Sequence, residues 1–172
     1  GEGWQFTLRE VARRAGVSHA APYKHFADKA ALLAELATHG FCQLREELMM
    51  QLGRKGRSAR SEILAIEKAY VNFGLANPSL YRLMFSVEVD KGHHNELHEA
   101  SFATLEVVLD ILTRGQLSGS LKAGSVKGQA AACWALVHGL TILELDHQLV
   151  PEKVGPKPID EALASLLEGL DA

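Results

Sequence analysis

The segment Thr7–Phe26, TLREVARRAGVSHAAPYKHF, constrains this chain more than any other. It opens on Thr7 and, three residues later, Glu10. That is a capping box: the threonine side chain accepts from a backbone N–H of the first turn, and the glutamate reaches back to the N–H of Thr7. Phe6 and Val11 stand at the positions of a hydrophobic staple. The spacing predicts a helix that starts at Thr7 and stops near Ala15, because Gly16 can take the left-handed conformation that ends helices. Ser18 can then cap a second helix over Ser18–Phe26. Two short helices joined at a tight glycine turn make a helix-turn-helix. Small Ala12 lets them approach, and Val17 is expected to plug the space between them. The second helix would offer its N-terminal half to the major groove of DNA. His19, Ala20 and Lys24 would project outward, with Pro22 and Phe26 facing inward.

The chemistry of this segment suits a polyanion. Thr7 lies at a helix N-terminus, where hydroxyl, backbone N–H and dipole favour phosphate. Tyr23 and His25 can donate to phosphate oxygens, and Lys29 adds a cation. Such contacts position a protein without reading sequence. Base reading would fall to His19 and Lys24, with Ala20 against a thymine methyl. The expected DNA-binding set is therefore Thr7, Ser18, His19, Ala20, Tyr23, Lys24, His25 and Lys29. Charge is distributed accordingly: residues 1–60 carry 10 Lys+Arg and 6 Asp+Glu, residues 61–172 carry 8 and 15. A basic head on an acidic body points to DNA, although a solvated charged face has the same composition.

The rest of the chain reads as helices in succession. Hydrophobic residues make up 47 % of its 172 residues and aromatics only 6 %. Ala, Leu, Glu, Arg and Lys dominate, which favours helix, and no strand or hairpin pattern occurs. The expected fold is all-α: a helix-turn-helix head on a helical bundle. Asp28 can cap a connecting helix toward Gly53, about 39 Å long at 1.5 Å per residue. After the basic turn GRKGRS come helices over Ala59–Ala76 and Pro78–Val87, a loop DKGHHN, and helices over Glu96–Leu117 and Val126–Leu149. A Pro-rich linker at Val150–Pro158 and a last helix, Ile159–Leu170, follow. Two domains are expected, 1–54 for the head with its connecting helix and 55–172 for the body.

Other classes find little support. Cys42 and Cys133 are too few for a disulfide framework, no signal peptide opens the chain, and a cytoplasmic location is expected. The longest charge-free apolar run, 16 positions between Lys127 and Glu144, falls short of the roughly 20 residues that span a bilayer. No nucleophile–base pair or phosphate-binding glycine loop is present. No catalytic residue, cofactor or metal is expected, and the chain is not read as an enzyme. His94 and His98, spaced i, i+4 beside His93 and Glu99, could hold a metal, but no second paired motif completes them. His147, with Glu144 and Asp146, reads as a solvated helix end.

The run TLREVARRAGVSHAAPYKHFADKAALLAEL resembles the DNA-binding region of the tetracycline-repressor (TetR) family of bacterial transcription regulators. The Gly-Val-Ser turn, the Tyr-x-His-Phe ending and the following Asp-Lys-x-x-Leu-Leu carry the likeness. WALVHGL at Trp134–Leu140 is similar to a W-x-x-V-H-G motif in the C-terminal domain of one branch of that family, and NPSLYRLMF fits the same branch. The resemblance implies a further helix before GWQFT, completing a three-helix head, and this sequence starts near the end of it. It also implies a homodimer joined through the last two helices, here about 126–149 and 159–170. The near-uniform apolarity of Val126–Leu149 supports that independently. Finally, it implies a small-molecule effector bound in the C-terminal domain that releases the protein, a repressor, from its double-stranded DNA operator. Tyr70, Phe73, Tyr81, Phe85, Phe102, Trp134 and His138 are the candidate pocket residues, with plain core packing as the alternative for each. Competing readings are an all-α small-ligand or metal-binding protein or enzyme without DNA binding, and a dimeric interaction module.

Overall fold

A computed structural model describes residues 4–52, 57–86, 89 and 94–171. Gly53, the basic turn at 53–56, Val87 and the loop residues 90–93, among them His93, lie outside the described residues. Those described form eight α-helices and one 3₁₀ turn, with an isolated bridge between Leu121 and Asp171 in place of any strand.

Helix α1 (Leu8–Arg14) begins on the expected capping box. Thr7 Oγ1 accepts from the Glu10 N–H at 3.2 Å, and the Thr7 N–H donates to Glu10 Oε2 at 2.6 Å. The helix ends in a Schellman motif: Val17 N–H donates to Ala12 O at 3.0 Å and Gly16 N–H to Arg13 O at 3.3 Å. Gly16 holds φ +69°, as this motif requires.

The second helix is not the regular α-helix expected over Ser18–Phe26. After turns at Ser18–Ala21, only a 3₁₀ turn, Pro22–Lys24, forms. Pro22 has no N–H to give to the Ser18 carbonyl four residues back, and its ring crowds that carbonyl. The Ser18 carbonyl instead accepts from Ala21 N–H at 3.0 Å. Nor does Val17 act as a plug, being 49 % exposed. Ala12 is fully buried, as the close approach demands.

Helix α2 (Lys29–Met50) starts at the Asp28 cap, whose Oδ1 accepts from Ala31 N–H at 2.9 Å. The body is completed by α3 (Ala59–Ala76), α4 (Pro78–Met84), α5 (Asn95–Leu117), α6 (Val126–Leu145) and α8 (Pro158–Leu170). α2 packs on α3, α4 and α5; α6 packs on α3 and α5; α8 leans on α3 and α6. One contiguous core runs from Leu33 on α2 to Leu170 on α8. Leu8 and Ala12 are buried separately, within the head. At Gly74 α3 and α6 approach so closely that a Cβ would collide with Thr141 Cγ2.

Several element boundaries differ from expectation; α4 stops at Met84 rather than Val87, with Phe85 as its C-cap. α6 stops at Leu145 rather than Leu149, because His147 adopts φ +54° and Gln148 N–H closes back on Leu143 O at 2.8 Å. The region read as a linker contains one helical turn, α7 (Pro151–Val154), started by Pro151 and ended by Gly155 at φ +80°.

Candidate functional sites: a basic head and an apolar cavity

In the head, Ser18, His19, Ala20, Tyr23, Lys24 and His25 are all exposed, and Pro22 and Phe26 are half-buried. The polar residues expected to meet DNA therefore share one short exposed segment. Exposed Arg9, Arg13 and Arg14 on α1, the helix that packs on this turn, add positive charge to the head and were not among the expected DNA-binding residues.

Two residues of the expected set are engaged inside the head. The Lys29 ammonium donates to the Trp4 carbonyl and lies 5.0 Å from the centroid of the Phe6 ring, fastening residues 4–6 to α2. Thr7 is held by Glu10, with its hydroxyl donating to Glu10 Oε2 at 2.9 Å. That hydrogen bonding, led by the Thr7 backbone N–H, lowers the Glu10 carboxyl below its ordinary value. The helix N-terminus offered to phosphate thus already carries a carboxylate.

The body holds an apolar cavity of about 250 Å³ between α2, α3, α5 and α6, with His98, Phe102 and Trp134 on its wall reaching solvent. Of the seven residues expected around a pocket, Tyr70, Phe85, Phe102 and Trp134 line it. Phe73, Tyr81 and His138 are not on its wall. Tyr81, fully buried, donates through its hydroxyl to Tyr70 Oη at 3.2 Å and lies 2.8 Å from His138 Nδ1. Phe85 stacks at 4.4 Å between centroids on the imidazole. His138 is thus a hydrogen-bonded histidine behind the cavity, packed against Phe85 and Trp134, which do reach it. Burial pushes the Tyr70 hydroxyl well up and that of Tyr81 to about 12, so both remain neutral.

The remaining wall was not anticipated. α2 contributes Phe41, Leu44 and Leu48, α5 contributes His98, Ser101 and Thr104, and α6 contributes Cys133 and Val137. Burial pushes the Cys133 thiol up to about 12, which leaves it protonated and unreactive. Most distinctive is Glu67, 3 % exposed, on the cavity wall from α3. Neither of its carboxylate oxygens has a hydrogen-bond partner. Desolvation pushes its carboxyl up to about 7, an effect the neighbouring Cys133 thiol only partly offsets. The sequence did hold a signal: Glu67 falls in helical register with Ile63, Ile66, Tyr70 and Phe73, on the apolar face of its helix.

Among the described residues, no group of three or more His, Cys, Asp or Glu side chains could hold a metal. No described helix is long and apolar enough to cross a membrane.

A capped, basic head carried on one long helix that also lines an apolar cavity in the helical body is the arrangement of a DNA-binding regulator. Sequence comparison identifies which. Residues 63–170 match the family described as "Tetracyclin repressor-like, C-terminal domain", and residues 2–36 match "Bacterial regulatory proteins, tetR family". The chain belongs to the TetR family of ligand-responsive, DNA-binding transcriptional regulators, whose members are generally non-enzymatic transcription factors.

No curated protein matches the sequence. Among solved structures, a protein of unknown function from Rhodococcus sp. RHA1 is 33 % identical, with a TM-score of 0.85 over 97 % of this chain and 86 % of that one. A TetR-family transcription regulator from Shewanella sp. PV-4 is 19 % identical, with a TM-score of 0.74 over 97 % and 88 %. FadR from Bacillus subtilis, solved with stearoyl-CoA, is 18 % identical, with a TM-score of 0.73 over 95 % and 86 %. The last two show likeness of fold.

Proposed function

We propose that this protein is a homodimeric repressor that leaves its operator when a small molecule fills the cavity. One observation carries this reading: α2 bears the head at its N-terminal end and lines the cavity with Phe41, Leu44 and Leu48. A ligand that spreads those side chains moves the rod that sets the head. The head is read as residues 1–54 and the body as 55–172, with α2 shared between them, since its Ala37, Phe41, Leu44 and Leu48 belong to the body core. The effector-contacting residues would be those on the wall, Tyr70, Phe85, Phe102 and Trp134, with Phe73, Tyr81 and His138 acting from behind. FadR, solved with stearoyl-CoA, is a structural relative with a small-molecule ligand, and this supports the reading of the cavity as an effector chamber. The W-x-x-V-H-G stretch from Trp134 to Gly139 supports assigning the chain to the branch that carries that motif.

Within the head, His19 and Lys24 would read base edges beside Ala20, and Ser18, Tyr23 and His25 would hold phosphates. Lys29 and Thr7 would act chiefly by fixing the head, given their partners inside it. Binding of the protein to its own upstream DNA, measured at several salt concentrations, tests this. Affinity should fall steeply with salt, because phosphate contacts release counterions. Lys24→Ala should cost about 1–3 kcal/mol on the preferred sequence and little on unrelated DNA, whereas Tyr23→Phe should weaken all sequences alike. Equal effects of the two changes on every sequence would remove the assigned division of labour.

A further inference from the structure

The cavity wall holds a buried carboxyl that no cation, N–H or O–H group among the described residues answers, with only the weakly donating Cys133 thiol beside it. Four polar side chains are buried among the described residues: Glu62, Glu67, Thr104 and Thr141. Three are satisfied. Glu62 pairs with Arg114 at 3.1 Å, Thr104 donates to Ala100 O at 2.9 Å, and Thr141 donates to Val137 O at 2.7 Å. Only the Glu67 oxygens are orphaned, and a native fold carries few such groups. Leaving a buried acceptor unpaired costs stability, so the position makes sense if the missing partner arrives from outside.

The surroundings narrow what that partner is. No Lys or Arg lines the cavity, so nothing there would receive an anionic head. Trp134, Tyr70, Phe85 and Phe102 present aromatic surface, which attracts cations as well as apolar rings. At about 250 Å³ the volume lies below the roughly 300–1,000 Å³ of ordinary ligand pockets, which suits one ring and a short arm inside it. We propose that the cavity takes a small organic cation, with its apolar body against Trp134, Phe85 and Phe102 and an ammonium, amidinium or guanidinium head donating to Glu67. This rests on the reading of the cavity as the effector chamber. The cation supplies both the hydrogen-bond donors and the counter-charge that the carboxylate lacks.

Calorimetric titration of the full chain with three matched probes tests the assignment: 2-phenylethylammonium, 2-phenylethanol and phenylacetate. At about pH 8 the ammonium should bind at least tenfold more tightly than the alcohol, and the carboxylate most weakly. Glu67→Gln should abolish the advantage of the ammonium while leaving the alcohol within about twofold. In the unchanged protein the Kd of the ammonium should also fall about tenfold between pH 6 and pH 8, as the Glu67 carboxyl with its value of about 7 ionises. The other titratable groups facing the cavity are Tyr70 on α3, His98 on α5 and Cys133 on α6; α2 supplies none. Burial keeps Tyr70 and Cys133 neutral throughout. The trend must therefore persist in His98→Asn, and its loss there would assign it to the histidine and overturn the proposal. Equal binding of ammonium and alcohol would overturn the cation assignment but leave the chamber standing. Failure of all three probes at millimolar concentration would overturn both.

Discussion

At the scale of single residues, Glu67 has a consequence even in the empty protein. Its carboxyl sits at about 7 when folded, against an ordinary value of 4.5. Between those values the folded chain holds a proton that the unfolded chain has released. Stability therefore falls as pH rises through this window and is lower by about 3 kcal/mol above it. Denaturant titrations at about pH 4.5 and pH 8 should show Glu67→Gln stabilising the protein at the higher pH with little effect at the lower. An equal effect at both would mean that the carboxyl is not desolvated. The residue also marks where legibility ended. Its register on the apolar face was readable, but a lone carboxylate in a helix reads as solvated until the facing helices are known. The same holds for Tyr81 and His138. Their apolar, helical setting showed that they are internal. Whether they touch empty space or each other depends on how three helices pack, which spacing does not encode.

At the scale of elements, local chemistry was legible wherever a few consecutive residues decide the outcome. The Thr7–Glu10 box, the Asp28 cap and the Gly16 turn all form as their sequences dictate. Thr7→Ala removes the bonds made by the Thr7 hydroxyl, leaving only the backbone N–H of residue 7 on Glu10, and should cost α1 about 1 kcal/mol. Hydrogen exchange of the α1 amides is the fitting measurement, because Leu8 and Ala12 are buried apart from the main core and the loss should stay local. A protection change spread across α3 and α6 would show the head to be coupled more tightly than that. Reading failed where one residue overrides a pattern. Pro22 interrupts a segment otherwise fit for α-helix, and His147 accepts a left-handed conformation usually left to glycine, ending α6 one turn early. Close approach between elements was equally hidden. Gly74 looked like an ordinary helical glycine, yet Thr141 and the Tyr81 ring occupy the space its side chain would need. Gly74→Ala should destabilise the body by about 1–3 kcal/mol through overpacking. Denaturant unfolding checks it, and an unchanged midpoint would mean that α3 and α6 can part without cost.

At the scale of the whole molecule, the surface of α6 is the part that a single chain leaves unfinished. Lys127 and Glu144 are its only Lys, Arg, Asp or Glu residues, so no face of this helix is built for water. Cys133, Val137 and Leu140 are buried in the body, whereas Ala131, Ala132, Ala135 and Leu143 remain exposed. Small residues along this stripe let a second helix approach closely, and beside it α8 adds the half-buried Ile159, Ala162 and Leu166. A two-fold pairing of α6 and α8 would bury the same patch on both copies and hold two heads at a fixed separation. Two heads so linked would bind as one unit with a high effective concentration. Introducing a charge at the centre of the stripe, as in Ala135→Glu, should turn a dimer into a monomer at micromolar concentration by light scattering. It touches neither the head nor the cavity wall, so helicity and probe binding should stay intact. Operator affinity should nevertheless fall by at least a hundredfold. If the variant stayed dimeric, the pairing would have to use another face. If it became monomeric but bound the operator as before, the two heads would not act together.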